Sequence, residues 1–491
     1  MAKAPGILVG MGVVLLIATY VLGWLTIPKV FENKIKERMQ LRNGTRTWER
    51  WSNVTTPVFL KIYIFNTTNP EEVAEGGKPK LEEFGPYVYQ QKRLKVDLRL
   101  SDNDTKVAYK QKTRNFFRPD LSNGTEQDRF TILNIPLLSL TSKGADLGFF
   151  AQMALTGIVE EHPEEKLFMN ITVGELLFKG RYVPLLKTLE DTTGKTAMKN
   201  HTFGLFYPKN ETLSEELEIY TGVGDPSKFG QVASWGNRTK LNFWTEDRCN
   251  KINGSDGSLF APFVKRERVL QLFSREMCRS LYLIYSKDID INGIPGYRFS
   301  VPKKMFDPTD ENMCYCVNPG LNNKNCPKGG TMDLSVCRNG APVMMSTAHF
   351  LDGADEYING VEGIRPDPVL HSTNIDLEPN TGLILNVNKR MQLNFVLRPN
   401  TISTEFANVR EVVYPIIWVD EGASMPGRTQ EAIKGTIIKP LYYVDTGKWV
   451  LIGLGALLVA VGFIMVIFNR RPDTEYSLAM TDDVINGGVR S

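Results

Sequence analysis

Two apolar segments, Gly6 to Ile27 and Trp449 to Phe468, stand near the two ends of the chain, and neither contains a charged side chain. At about 1.5 Å of rise per residue each makes a helix of roughly 30 Å, enough to cross the hydrocarbon core of a bilayer. The first is longer than the apolar core of a cleavable signal, about 7 to 15 residues. Its exit, Trp24-Leu25-Thr26-Ile27-Pro28, offers no small-x-small cleavage site. Both segments are therefore expected to be membrane helices. Residues 1–5 and 469–491 then form tails on one side of the membrane, and residues 28–448 lie on the other.

Charge does not say which side the middle occupies. Lys3, Arg470 and Arg471 flank the tails, while Lys29, Lys34, Lys36 and Arg38 lie just inside the central region. The positive-inside rule is also weak for long translocated domains. Glycosylation acceptors answer better: Asn-x-Ser/Thr occurs at Asn43, Asn53, Asn66, Asn103, Asn123, Asn170, Asn200, Asn210, Asn237 and Asn253, and in neither tail. One such triplet means little, but ten in one segment favour a lumenal or extracellular middle. All six cysteines, Cys249, Cys278, Cys314, Cys316, Cys326 and Cys337, also fall there. An even number in an exported region reads as three disulfides, with fifteen pairings open to them. A metal site at Cys314-x-Cys316 lacks the second cysteine pair or histidines that zinc would need.

The net charge of +3 is too mild to imply nucleic acid, and no basic run is interleaved with aromatics. Between the spans there is no Pro/Gly/Ser-rich linker, low-complexity tract or repeat, so one large domain is expected. Residues 58–65, 87–89, 383–387, 392–397 and 412–419 are β-branched and aromatic with period-two character and read as strands. Gly85-Pro86 and Pro379-Asn380-Thr381-Gly382 read as turns before strands. Helical pattern gathers at 132–190 and again near Pro262 to Phe273. The fold class is thus α+β, with a mainly antiparallel sheet. Within the helical region, Ala145 to Val159 carries Leu147, Phe149, Phe150, Met153, Leu155, Ile158 and Val159, too apolar for a helix lying singly on a solvated surface. Two readings apply: the core of a small helical cluster, or an apolar contact for lipid. The acidic segment Glu160-Glu161-His162-Pro163-Glu164-Glu165-Lys166 that follows reads as a solvated turn.

Catalytic signatures are missing: no Gly-x-Ser-x-Gly, no phosphate loop, no His-Glu-x-x-His and no Gly-x-Gly-x-x-Gly after a strand. The four histidines, His162, His201, His349 and His371, leave little room for a zinc or triad site, and His349 reads as a hydrogen-bonded structural residue. No enzyme activity and no cofactor are expected. The tails are too short to fold as catalytic domains, so any signalling requires a partner. Tyr476-Ser477-Leu478-Ala479 lacks the bulky fourth residue of a tyrosine sorting signal, which favours the plasma membrane over endosomal or lysosomal delivery.

Particular strings resemble one family. Glu83-Phe84-Gly85-Pro86-Tyr87-Val88-Tyr89, Asn242-Phe243-Trp244, Cys249-Asn250-Lys251-Ile252-Asn253-Gly254, Cys278-Arg279-Ser280, Gly293-Ile294-Pro295-Gly296-Tyr297-Arg298-Phe299 and His349-Phe350-Leu351 are similar, in this order, to the class B scavenger receptors. The resemblance implies an irregular antiparallel β-barrel, a helical bundle at its apex and an internal lipid tunnel toward the bilayer. It implies the disulfides Cys249–Cys314, Cys278–Cys337 and Cys316–Cys326. It also implies binding of lipids (fatty acid, sterol, carotenoid or phospholipid) or of lipid-bearing particles such as lipoproteins, dying cells and microbes, followed by uptake through the tunnel, endocytosis or phagocytosis. Leu147, Phe149, Phe150, Met153, Leu155, Ile158 and Lys166 would be the apical contacts.

Two features depart from that pattern. The loop from Glu160 to Lys166 has four glutamates and one lysine where the family's fatty-acid translocase is cationic, which reverses Coulomb attraction for anionic ligands at that spot. No tail cysteine is present for acylation. Two other functions fit the two-span plan: a tethering or phagocytic receptor without transport, and a ligand-gated channel in which Gly6-x-x-x-Gly10 and Ala456-x-x-x-Ala460 pack helices in an oligomer. Against a pore, Trp449 to Phe468 has no Ser, Thr, Asn or charge.

Overall fold

The computed structural model describes residues 3–316 and 326–469, so the expected tails at 1–5 and 469–491 lie largely outside the described residues. The chain divides into two compact units, Ile35–Ala432 and the terminal pair Met1–Lys34 with Ile433–Ser491.

In the terminal unit both apolar segments are helical, within helices that run Ala4–Met39 and Gly427–Phe468. They pack on each other through small residues. A Cβ on Gly12 would lie 2.7 Å from Val459 Cγ2 and 2.8 Å from the Gly455 carbonyl, and one on Gly462 would lie 2.6 Å from Val9. Gly6 and Gly10, the pair singled out from sequence, have nothing within 4 Å. The close approach therefore belongs to different glycines and joins two segments of one chain. Trp24 meets Trp449 edge-on at 5.8 Å, with Lys448 Nζ 4.7 Å above the Trp24 ring.

The large unit is built on a thirteen-stranded antiparallel sheet. Its centre is the strand Val58–Thr67, whose alternate side chains are buried, flanked by Leu81–Ser101 on one side and Val412–Ser424 on the other. Ile384–Leu397 continues the sheet beyond Val412–Ser424, and Lys106–Phe117 extends it beyond Leu81–Ser101. The runs read at 383–387 and 392–397 are thus one strand. Asn388, Lys389 and Arg390 interrupt its apolar alternation but not its pairing.

Two local expectations are corrected. Gly85-Pro86 lies inside the strand Leu81–Ser101, joined by a cis bond, and its irregularity is absorbed by a register shift between Ile62 and Ile64. A Cβ at Gly85 would stand 2.8 Å from the Ile62 carbonyl, so glycine lets the strands close there. No helix forms across Pro262 to Phe273. Phe263 takes a positive φ of 58°, and Leu270–Ser274 pairs as a strand with Arg279–Ile291. The apolar spacing there has period two over a stretch too short to tell from a helical turn. Pro379-Asn380-Thr381-Gly382 does form a turn: the Glu378 carboxylate accepts from the Asn380 and Thr381 amides, and Gly382 has a φ of 70°.

Three helices, Ile135–Ala145, Phe149–Glu160 and Pro184–Thr193, occupy the region read as helical. Asn134 caps the first by accepting from the Leu137 amide, and Gly194 ends the third in a left-handed turn. The strand pair Arg129–Leu133 and Phe168–Thr172 underlies them. The disulfides join Cys249 to Cys314, Cys278 to Cys337 and Cys316 to Cys326, at Cα separations of 6.2, 6.6 and 4.9 Å. Beside them Asn250 Oδ1 accepts from the Phe243 and Trp244 amides, and the Trp244 indole donates to the Cys278 carbonyl at 2.7 Å.

Candidate functional site

The helix Phe149–Glu160 is turned by its own sequence so that one face packs and the other protrudes. Leu155, Ile158 and Val159 are buried in the main hydrophobic core, with Leu155 pressed against Gly144 of the preceding helix. Phe149 and Phe150 are 69% and 84% exposed, and Met153 and Leu147 are about half exposed. The two rings contact each other edge-on at 5.7 Å. Of the apical contacts expected from sequence, then, Leu147, Phe149, Phe150 and Met153 offer apolar surface. Leu155 and Ile158 do not, because the 3.6-residue period carries them inward. Phe149, Phe150 and Met153 on the exposed face of the helix, with Leu147 just before it, form the kind of patch that marks a binding surface.

The acidic turn that follows is more structured than a solvated loop. Glu165 is buried and accepts from Asn134 Nδ2 at 2.7 Å, which ties it to the cap of the first helix. His162 holds Glu164 at 2.9 Å and Thr188 at 2.7 Å. Lys166 pairs with Glu405 at 3.2 Å, so its charge is engaged within the fold. Glu160, Glu161 and Glu164 remain as exposed acids beside the aromatic patch.

A second feature was hidden in the sequence. Arg93, Glu276, Lys389 and Glu421 form one charged cluster on the sheet unit, and their side chains keep 23–47% of their surface accessible. Lys389 stands opposite Glu421 across the strand pair and lies 3.3 Å from Glu276, while Arg93 pairs with Glu421. Burial opposes the Lys389 charge, but Glu276 and Glu421 outweigh it and raise its pKa; the Lys389 ammonium in turn lowers Glu276. The available signal was a charged residue at the inward position of a period-two strand, and without the register that position cannot be assigned.

A third cluster explains His349. Its Nδ1 accepts from the Arg365 amide, so Nε2 carries the proton that it shares with Glu83. Trp418 Nε1 donates to the same carboxylate at 2.8 Å, and Tyr63 stacks on Trp418 at 3.9 Å. His371 stacks on His349 at 4.2 Å and accepts from the Asp367 amide on Nδ1. Burial, helped by the neighbouring His349, pushes His371 down to about 4. Burial alone would raise Glu83, but its hydrogen bonds from His349 and Trp418 lower it. His349 therefore serves the fold, clamping the segment around 349–371 onto the sheet. Among the described residues no cluster of three or more His, Cys, Asp or Glu is arranged to hold a metal.

Comparison with known proteins places these features in context. Residues 10–466 match the model of the CD36 family. Human lysosome membrane protein 2 is 31% identical over 430 residues, 87% of each chain. Rat scavenger receptor class B member 1 is 32% identical over 471 residues, covering 94% of this chain and 90% of the relative.

Proposed function

Because the chain belongs to the CD36 family, we propose that it is a plasma-membrane receptor that docks lipids or lipid-bearing particles and carries lipid inward through its ectodomain. The observation that supports this reading most is the protruding pair Phe149 and Phe150, beside Met153 and Leu147. Apolar rings held out in water on a rigid helix lower the free energy of the system when an acyl or sterol surface covers them, by about 1.5–3 kcal/mol for each side chain fully buried. An enclosed route then spares the lipid the cost of crossing water, about 0.8 kcal/mol per exposed CH₂. The exposed acids beside the patch select against strongly anionic particle surfaces and favour neutral or cationic ones.

In this reading residues 28–448 face the cell exterior, both tails are cytoplasmic, and signalling passes through a co-receptor. The acceptor asparagines carry glycans. Asn43, Asn53, Asn103, Asn123, Asn170, Asn200, Asn237 and Asn253 are exposed. Asn66 and Asn210 are half-buried, with their carbonyl oxygens bound to the Thr131 and Asn115 amides. The test is cellular uptake of a labelled lipid from reconstituted lipoprotein, together with mass spectrometry of lipid that co-purifies with the full chain. Uptake above that of untransfected cells, with lipid recovered, is expected. A chain that reaches the surface, yields no lipid and transfers none would remove the reading.

A further inference from the structure

Charge is not spread evenly along the chain. Residues 92–118 hold nine basic side chains against three acidic ones, a net charge of +6, whereas the whole chain carries +3. They fall on the strands Leu81–Ser101 and Lys106–Phe117, which pair antiparallel. Alternation sends successive side chains to opposite faces, so the basic residues divide between the two. Lys95 takes the buried face, with its ammonium on the Trp51 carbonyl at 3.0 Å. Lys92, Leu94, Lys112, Arg114 and Phe116 take the other face and are exposed.

Strand pairing gathers the outward cations. Lys92 stands directly opposite Arg114, Leu94 opposite Lys112, and Val96 opposite Lys110. Residues on one face repeat about every 6.6 Å along a strand, so Arg114, Lys112 and Lys110 form a straight file of about 13 Å, with Lys92 roughly 4.8 Å to one side. Like charges set opposite one another destabilise a sheet. The acids present offset this only in part. Arg114 reaches Glu211 at 2.6 Å and Lys110 reaches Asp97 at 3.7 Å, both in exposed pairs that solvent screens. Lys92 and Lys112 form no ion pair among the described residues.

Apolar side chains lie between the cations. Leu94 and Phe116 are each 40% exposed, and Leu213, bridged to Lys112, is 51% exposed. The Arg114 guanidinium sits 4.8 Å above the Phe116 ring.

These properties select a partner. Unmatched cations at a regular spacing call for a polyanion, and a straight file on a rigid sheet suits an extended chain better than a compact one. The apolar side chains are only about half exposed and stand on a flat face, which cannot enter a bilayer but can carry the C–H face of a sugar ring. We propose that the outward face of this strand pair docks a sulfated glycan chain, its sulfates on Lys92, Lys112 and Arg114 and its rings over Leu94 and Phe116. The surface shares no residue with the aromatic patch at Phe149 and Phe150 and stands independently of the lipid-receptor reading.

The test uses the full chain in neutral-lipid nanodiscs. Its N-glycans are trimmed to the first sugar, because Asn53 bridges Leu94 and Asn210 holds the Asn115 amide at the margin of the face. The probes are a heparin oligosaccharide, the same oligosaccharide desulfated, and vesicles containing phosphatidylserine. Heparin should bind and weaken as salt rises, and the desulfated chain should bind about tenfold more weakly or less. By counterion release each engaged cation contributes about 0.7 to the slope of log affinity on log salt, so Lys92→Gln/Lys112→Gln should lose about 1.4 of slope and about tenfold in affinity at about 0.15 M salt. Its Tm should not fall, because removing Lys92 relieves the opposition to Arg114. Lys92→Arg/Lys112→Arg keeps both charges and should bind as the native chain does. A native chain that ignores heparin, equal binding of the desulfated chain, or unchanged affinity and slope in the glutamine variant overturns the site. Vesicle binding that the glutamine variant loses, with heparin ignored, overturns it in favour of a lipid surface.

Discussion

Replacing His371 by asparagine should flatten the response of the ectodomain to mild acid, and the size of the effect follows from its surroundings. His371 is 6% exposed, stacked on His349, and faces Glu83, Asp367 and Arg390 as its other charged neighbours. Its pKa is lowered from 6.5 in the unfolded chain to about 4 in the fold. The folded state therefore resists a proton that the unfolded state accepts. Stability from this group is fully present above pH 6.5, declines as the pH falls toward 4, and is constant below that. Between pH 7.4 and 5.0 the loss is about 2 kcal/mol, and it reaches about 3 kcal/mol once both states are protonated. For a unit of roughly 400 residues the unfolding entropy is about 0.8 kcal/mol/K, so this loss lowers Tm by about 2–3 °C. Glu83, held below its usual range by His349 and Trp418, contributes only at more acid pH and leaves this window clear. The assay is thermal unfolding of native protein and His371→Asn at pH 7.4 and 5.0. The drop in Tm should be smaller in the variant by about 2–3 °C. An equal drop in both proteins would refute the assignment of a neutral, proton-resistant His371.

Other perturbations bear on the remaining parts. Phe150→Glu, at a side chain 84% exposed, should leave Tm unchanged and weaken binding to lipid particles by about tenfold, measured on immobilised lipoprotein. Breaking Cys249–Cys314, which spans 65 residues, should cost about 4 kcal/mol in the chain-entropy account, against about 3 for Cys316–Cys326, which spans 10; denaturant titration of the paired serine variants reads the difference. Gly12→Leu should destabilise the helix pair by about 1–3 kcal/mol, because its side chain meets Val459 and the Gly455 carbonyl, whereas Gly10→Leu enters open space and should be silent in detergent thermal-shift measurements.

What the sequence exposed and what it concealed divide along a physical line. Apolar length is a local property, so the two terminal helices could be read directly, as could Val58–Thr67 and Val412–Ser424, whose runs are dense in β-branched and aromatic residues. Ile384–Leu397 was read in two pieces because Asn388-Lys389-Arg390 looks like a loop when the strand's inner face is taken to be apolar throughout. In the fold that face changes character along its length, with Leu393 and Met391 half-buried and Lys389 set against Glu421. The same reasoning applies in the helical region. The helix Phe149–Glu160 was plainly apolar, but only the packing of Leu155 on Gly144 decides that Leu155 and Ile158 turn inward and that the phenylalanines stay out. Glu165 and Lys166 belonged to an acidic run whose charges seemed equivalent; contact with Asn134 accompanies the burial of Glu165, while Lys166 stays exposed and pairs with Glu405. In each case the concealed residue is polar or apolar against the trend of its neighbours. Such a residue is locally inconsistent, and when a fold retains it the cause lies in a nonlocal partner or in a ligand. Lys389 and Arg93 are such residues, and their partners Glu276 and Glu421 come from segments distant in sequence.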